Sequence, residues 1–150
     1  MKALLDTSTL IAAMLSDHVH HAQALPWLAR AKSGGFEFIC SGHSLAEIYA
    51  VLTRLRRVPL IGPDDALRLI QENVTAHAHV QSLSSGDYAQ LIDALAKHRI
   101  VGGAVYDAII ARVAELAAVD HLVTLNVADF QRVWPAGMAR IVSPLDQPPP

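Results

Sequence analysis

The stretch KALLD at residues 2–6, followed by STLIAAML at residues 8–15, decides the fold class. The first run is short and mainly apolar, which is typical of a buried strand, and it ends at Asp6. The second run has a helical pattern. Short apolar runs alternate with longer helical patterns along the rest of the chain. Such alternation is typical of a parallel sheet covered by helices on both faces. We therefore predict an α/β fold with a central parallel β-sheet.

The other predicted elements continue this alternation. The predicted strands cover residues 2–6, 36–40, 79–83, 121–125 and 140–142, and the predicted helices cover residues 8–15, 18–32, 44–57, 64–74, 85–98, 105–118 and 128–133. Pro26 lies inside the 18–32 pattern and is expected to kink or break it. A chain of 150 residues is expected to form one domain, over residues 1–146. Three prolines in residues 147–150 predict a disordered tail.

Composition and charge narrow the class of protein. Hydrophobic residues make up 52% of the chain and the net charge is −2, so the basic excess of many nucleic-acid binders is missing. An acidic metal site offsets basic residues elsewhere, so this balance still allows a nuclease. The single cysteine, Cys40, excludes an internal disulfide. Asp6 interrupts the N-terminal apolar run, and no run approaches the roughly 20 apolar residues of a membrane helix. We expect a cytoplasmic protein with no membrane segment.

Acidic residues follow the predicted strands. In open sheets of this class, sites form beyond the carboxyl ends of the strands. Asp6 ends the first strand, and Glu47 lies near the start of the helix after the second strand. Asp129, with Asn126 before it, follows the strand at 121–125. The sequence order therefore predicts several acidic positions at one edge of the sheet.

Each acid also has a purely structural explanation when it is taken alone. Asp6 fits a helix N-cap, and Glu47 fits a capping box with Ser44 as N-cap. Asp107 lies at the border of the apolar face of the 105–117 helical pattern. A carboxylate there either reaches water or pairs with an arginine, because burial without a partner is costly.

Taken together, the acids indicate a site for a hard divalent cation. Such cations prefer carboxylate and water oxygens. Two ions about 4 Å apart stabilise the attacking and leaving oxygens of phosphoryl transfer, and they need carboxylates from separate segments. The residues that meet this requirement are Asp6, Ser8, Glu47, Asp107 and either Asn126 or Asp129.

Four stretches in chain order carry a family resemblance over most of the sequence. They are LLDTSTLI at 4–11, SLAEIYAVLTRL at 44–55, GGAVYDAIIARVAEL at 102–116 and LVTLNVADF at 122–130. With them the chain resembles PIN-domain proteins, specifically the VapC type of toxin from bacterial toxin–antitoxin pairs. The resemblance implies a PIN-like parallel fold, an Mg²⁺ or Mn²⁺ site and endoribonuclease activity. It also implies a homodimer and inhibition by a cognate antitoxin.

The resemblance also implies roles for individual residues. Asp6, Glu47 and Asp107 match the acidic triad of the family. Ser8 matches the hydroxyl or amide position after the first acid, and Thr124 matches the threonine of the last motif.

The fourth acidic position is open. The family often has Thr-x-Asp at the last motif, and this chain has Asn126 in that slot. Asparagine can bind a metal-coordinated water but brings no negative charge. Asp129 is the alternative source of that charge, so the occupancy of a second metal position depends on which residue serves.

Basic residues offer two interpretations. Arg54, Arg56 and Arg57 cluster at a predicted helix end, and Arg112 lies on the Asp107 helix. We consider Arg54, Arg57 and Arg112 as contacts for RNA phosphates, which dominate nucleic-acid affinity. A solvated surface explains the arginine cluster equally well.

Other functions receive less support from the sequence. The eight histidines lack the spacing of a zinc site, so loop and helix-start positions explain them better. No glycine-rich phosphate loop supports a nucleotide-binding domain. A catalytically weakened PIN-like module that binds RNA or protein is the main alternative, which Asn126 favours and the intact triad disfavours. We expect a metal-activated water, rather than Cys40 or a serine–histidine pair, to be the nucleophile.

Overall fold

A five-stranded parallel sheet forms the centre of the protein. The computed structural model describes residues 1–150. The strands are β1 (Lys2–Leu5), β2 (Glu37–Ser41), β3 (His79–Gln81), β4 (His121–Val123) and β5 (Ile141–Val142). They lie in the order β3-β2-β1-β4-β5, and every neighbouring pair is parallel. The predicted α/β fold with a parallel sheet is confirmed.

Seven α-helices connect the strands. They are α1 (Thr7–Met14), α2 (His21–Lys32), α3 (Gly42–Arg54), α4 (Pro63–Ile70), α5 (Ser85–Lys97), α6 (Ala104–Leu116) and α7 (Val127–Val133). A π-helical turn (Gln71–Thr75) continues α4, and a 3₁₀-helix (Pro135–Arg140), which the sequence patterns did not predict, precedes β5. None of the helices has the length and apolarity that crossing a bilayer requires.

The two faces of the sheet pack into two separate clusters of apolar side chains. Along β1, Ala3 and Leu5 belong to the cluster under α1, α2 and α3, whereas Leu4 belongs to the cluster under α6 and α7. This division follows from the strand geometry, because successive side chains point to opposite faces. The three apolar residues that follow Lys2 in β1 are buried, which gives a strand that is covered on both sides, as the predicted arrangement of helices requires.

The start of α3 differs from the predicted capping box. The helix begins at Gly42, and the Ser41 hydroxyl accepts a hydrogen bond from the His43 amide at 3.2 Å. Ser41 is thus the N-cap, and Glu47 lies in the second turn, too far along to reach back to it. The Ser44 hydroxyl is buried and has no hydrogen-bond partner. The Ser44–Glu47 capping box is therefore wrong, and Glu47 is left without a capping role.

Two further expectations concern the N-terminal helices and the tail. Helix α2 begins at His21 and continues through Pro26, so the proline does not break the helix. The carbonyl oxygens of Gln147 and Pro150 accept hydrogen bonds from Trp27 and Arg30 of α2. Disorder of residues 147–150 and a single domain over residues 1–146 stay predictions.

Candidate active site

Asp6 lies at the carboxyl end of the central strand and is almost completely buried. Its side chain is the N-cap of α1, and only 3% of the residue is exposed. Its Oδ2 accepts hydrogen bonds from the Ser8 amide (3.2 Å), the Ser8 hydroxyl (2.7 Å) and the Thr124 hydroxyl (2.9 Å). Burial raises the pKa of Asp6, and the bonds from Ser8 and Thr124 oppose that rise. The other oxygen, Oδ1, is left unused by these three donors.

Glu47 reaches the same region from the second turn of α3. Its Oε2 accepts a hydrogen bond from the Thr7 hydroxyl at 2.8 Å, which links α3 to the start of α1. Its Oε1 lies 3.6 Å from Nε2 of His43, one helical turn earlier. The His43 ring in turn stacks on Tyr106 of α6, with ring centroids 5.1 Å apart. Glu47 thus contacts α1 directly and α6 only through His43, and 31% of its side chain remains exposed.

Asp107 lies in the first turn of α6 and is half-buried. Burial raises its pKa, and the negative charges of Asp6, Asp129 and Glu47 raise it further, to about 6. Arg132 of α7 opposes this rise. The surroundings of Asp107 are therefore more negative than positive, because one nearby arginine does not balance the three carboxylates that raise its pKa.

One open cavity of about 520 Å³ brings the acids together; we call it the acidic cavity. Its lining residues are Asp6, Thr7, Ser8, Ile11, His18, Val19, His20, Glu47, Val51, Asp107, Leu125 and Asn126. Neither a lysine nor an arginine lines it. The structure thus places Asp6, Glu47 and Asp107, from three separate segments, around one space.

The two candidates for the fourth position differ in their placement. Asn126 lines the acidic cavity, whereas Asp129 does not and is exposed on α7. Asp129 still raises the pKa of Asp107 by its charge. Thr124 is buried beneath the cavity and holds Asp6, and its hydroxyl also accepts a hydrogen bond from the Asn126 amide at 3.0 Å. Asn126 therefore supplies the side chain at the cavity wall, and Asp129 supplies charge from outside it.

The chemistry of this cavity fits a hydrated divalent cation. Carboxylates with raised pKa values are stabilised when a cation lies beside them. No three His, Cys, Asp or Glu side chains in the structure are arranged to enclose an ion directly. Mg²⁺ does not need such a cage, because it keeps several waters and binds through one or two carboxylates. Asp6, Glu47 and Asp107 could hold such an ion directly or through its waters.

The arginines considered as RNA contacts lie outside the acidic cavity. Arg57 forms an ion pair with Asp17 at 3.0 Å, and Arg54 lies exposed in the last turn of α3. Arg112 pairs with Glu115 of its own helix and lies 3.9 Å from Asp87 of α5. Arg57 and Arg112 thus each have a carboxylate partner, whereas Arg54 forms no ion pair in the structure.

Several side chains at the site were not singled out from the sequence. They are Thr7 and His43, which contact Glu47, Arg132, which acts on Asp107, and His18 and His20, which line the cavity but were considered only for zinc. The i, i+4 spacing of His43 and Glu47 on one helix face was the one local signal available. The other contacts join distant segments, so no local pattern contains them.

Comparison with known proteins identifies the family of this chain. The PIN domain family model matches residues 3–133. Ribonuclease VapC27 of Mycobacterium tuberculosis is 40% identical over 124 residues, which are 83% of this chain and 82% of the relative. Ribonuclease VapC40 of the same species is 33% identical over 120 residues, which are 75% and 78% of the two chains.

A solved structure shows the same fold at low sequence identity. The crystal structure of VapBC2 from Rickettsia felis, bound to a DNA fragment from their promoter, superposes with a TM-score of 0.64 at 18% identity. The alignment covers 95% of this chain and 98% of that one. The chain belongs to the PIN-domain family, among its VapC-type ribonucleases.

Proposed function

We propose that this chain is an endoribonuclease, the toxin of a type II toxin–antitoxin pair, and that it hydrolyses RNA with the help of Mg²⁺ or Mn²⁺. The observation that carries the proposal is the convergence of Asp6, Glu47 and Asp107 on one cavity that is lined by neither lysine nor arginine. Two relatives that bear the name ribonuclease, at 40% and 33% identity, support the same activity.

Hydroxyl groups of the chain position the carboxylates that would hold the ion. A bound divalent ion supplies positive charge to the phosphoryl oxygens and acidifies water. Ser8 and Thr124 fix Oδ2 of Asp6, and Thr7 fixes Oε2 of Glu47. These hydroxyls hold the two carboxylates in place before an ion arrives, which lowers the ordering cost of binding.

The nucleophile that the site favours is water. Burial raises the pKa of Cys40 to about 12, so this thiol stays protonated and unreactive at neutral pH. No cavity-lining histidine has a hydrogen bond to a serine or threonine hydroxyl that would activate it. Attack by water displaces the 3′ oxygen of the cleaved bond and leaves a 5′-phosphate.

The proposed partners follow from the relatives. We expect a cognate antitoxin protein to inhibit the chain in the cytoplasm, and we expect the chain to form a homodimer. The Rickettsia felis structure holds VapBC2 on promoter DNA, which supports an antitoxin partner for proteins of this type.

One observation favours a second function, that of a binding module with weakened catalysis. Asn126 lines the cavity where the family often has an acid, so the site has one carboxylate fewer at its wall. A module with weakened catalysis that binds RNA or protein would fit that loss. Metal-dependent cleavage by the wild type distinguishes the two functions.

The test is cleavage of a structured RNA with Mg²⁺, with product ends determined by mass spectrometry. We expect 5′-phosphate ends, loss of cleavage in EDTA, and at least a hundredfold slower cleavage by Glu47→Gln. Glu72→Gln, at an exposed glutamate outside the cavity, should cleave at the wild-type rate. Products with 2′,3′-cyclic phosphates that persist in EDTA would contradict the proposal, since attack by the 2′-hydroxyl needs no metal.

A further inference from the structure

Two histidines form part of the wall of the acidic cavity. His18 and His20 lie in the loop between α1 and α2, together with the exposed Val19. Neither lysine nor arginine lines the cavity, so these imidazoles are the only groups of its lining that can carry positive charge. Neither histidine is among the residues that would hold the metal ion.

A backbone contact determines which nitrogen of His18 carries hydrogen. The His20 amide donates a hydrogen bond to Nδ1 of His18 at 3.1 Å. A ring nitrogen that accepts a hydrogen bond has no hydrogen of its own, so the neutral ring carries its hydrogen on Nε2. No hydrogen bond joins Nε2 to another atom of the protein. His18 therefore has a fixed donor with no partner.

The surroundings of His18 favour its neutral form. Burial lowers its pKa, and the neighbouring rings of His20 and His21 lower it further, against the opposing charge of Asp17. Titratable groups on the other walls are Asp6, Glu47 and Asp107. The lowered pKa favours the neutral ring, whose one N–H group is at Nε2.

An uncharged donor suits a cavity that must also take a cation. A lysine or arginine there would pair with the carboxylates and compete with a metal ion for them. A neutral imidazole can donate to a phosphate oxygen without that competition. Phosphodiester oxygens are strong acceptors, and bonds to charged acceptors are the stronger class.

We propose that His18 binds the RNA phosphate, with its Nε2–H donating a hydrogen bond to a non-bridging oxygen of a phosphodiester in the acidic cavity. This inference rests on the proposed function. It adds a phosphate-binding residue, from the α1–α2 loop, that is separate from the carboxylates.

A pair of substitutions separates phosphate binding from loop structure. In His18→Asn, the shorter side chain still accepts from the amide two residues on, as asparagine does in Asx turns, but it lacks the distant Nε2–H. In His18→Ala, both the turn contact and the donor are lost. His77→Asn, at an exposed histidine outside the cavity, is the matched control.

Steady-state cleavage of a fluorescent RNA provides the first measurement. We expect both His18 variants to lower kcat/KM about tenfold or more, mainly through KM, because each lacks one bond to a charged oxygen. His77→Asn should match the wild type. If only His18→Ala is impaired, the ring acts through the turn and the proposal is overturned.

NMR spectra of ¹⁵N-histidine protein provide a measurement that needs no cleavage. The proposal predicts an Nε2–H tautomer for His18 and a change in its Nε2 resonance when adenosine 5′-monophosphate is added with Mg²⁺. The His77 resonances should not change. An Nδ1–H tautomer, or a His18 resonance that ignores the nucleotide, overturns the proposal. A wild type that shows the predicted change but cuts no RNA would leave phosphate binding by His18 supported and count against the proposed nuclease.

Discussion

Asp6 combines two demands that oppose each other. It caps α1, and it carries a charge at a position where only 3% of the residue is exposed. Its raised pKa means that the neutral form is favoured more in the folded protein than in the unfolded chain, so ionisation of Asp6 lowers stability when no cation is bound. This contribution to stability is present at low pH and is lost as the pH rises through the folded-state pKa.

Asp6→Asn should therefore melt at or above the wild-type temperature in EDTA at pH 7. Asparagine caps helices as well as aspartate does, so the contact with the Ser8 amide is retained while the buried charge is removed. Calorimetry compares the variant with wild type and with Asp146→Asn, at an exposed aspartate. A fall of several degrees would mean that Asp6 is chiefly a structural cap.

Helix α3 shows how far a local pattern determines a boundary. The spacing of Ser44 and Glu47 predicts Ser44 as the N-cap. The structure selects Ser41, because β2 continues to that residue and the backbone turns there. The existence of the helix could be predicted from its apolar periodicity, whereas its first residue depends on the end of the preceding strand.

Ser41→Ala should lower the free energy of unfolding by about 1 kcal/mol, the usual loss for a helix cap. Ser44→Ala should cost less, because the Ser44 hydroxyl has no partner to lose. Urea unfolding in EDTA measures both variants under one condition. A larger loss for Ser44→Ala would restore the capping box and contradict the boundary of α3.

The connection of the strands explains why distant residues meet at the site. β2 and β3 extend the sheet on one side of β1, and the chain then crosses over to place β4 and β5 on the other side. The crossover places Thr124 beside Asp6, with the Asp6 amide donating to Val123 at 2.9 Å. This is the arrangement in which open α/β sheets form their sites.

The sequence predicted the acids of the site better than their neighbours. Asp6 could be located because it ends an apolar strand, and a rule about sheet edges then applied to it. Thr7 on Glu47 and His18 in the cavity depend on how α1, α3 and the α1–α2 loop pack, which no local pattern specifies. The choice between Asn126 and Asp129 for the fourth acidic position stayed open in the sequence, because it also depends on tertiary packing.

The intact protein should be a homodimer at micromolar concentration. Large apolar side chains are exposed on its surface, with Val58 at 97%, Val101 at 80% and Leu60 at 74%. Val58 and Leu60 lie in the same loop between α3 and α4, and a contiguous exposed apolar patch is often covered by a partner. Sedimentation velocity should give twice the 16.2 kDa of one chain. A monomer at every concentration from about 1 to about 100 μM would contradict the dimer.

The most direct test of the metal site is calorimetric titration with Mn²⁺. At pH 7.5 the wild type should bind Mn²⁺ at least tenfold more tightly than Asp107→Asn, a difference of about 1.4 kcal/mol or more. Binding by the wild type should weaken as the pH falls through about 6, because protons then compete for Asp107. Asp129→Asn, outside the cavity, should lose less affinity than Asp107→Asn. Equal affinity in wild type and Asp107→Asn would contradict the assignment of this acidic cavity as the metal centre.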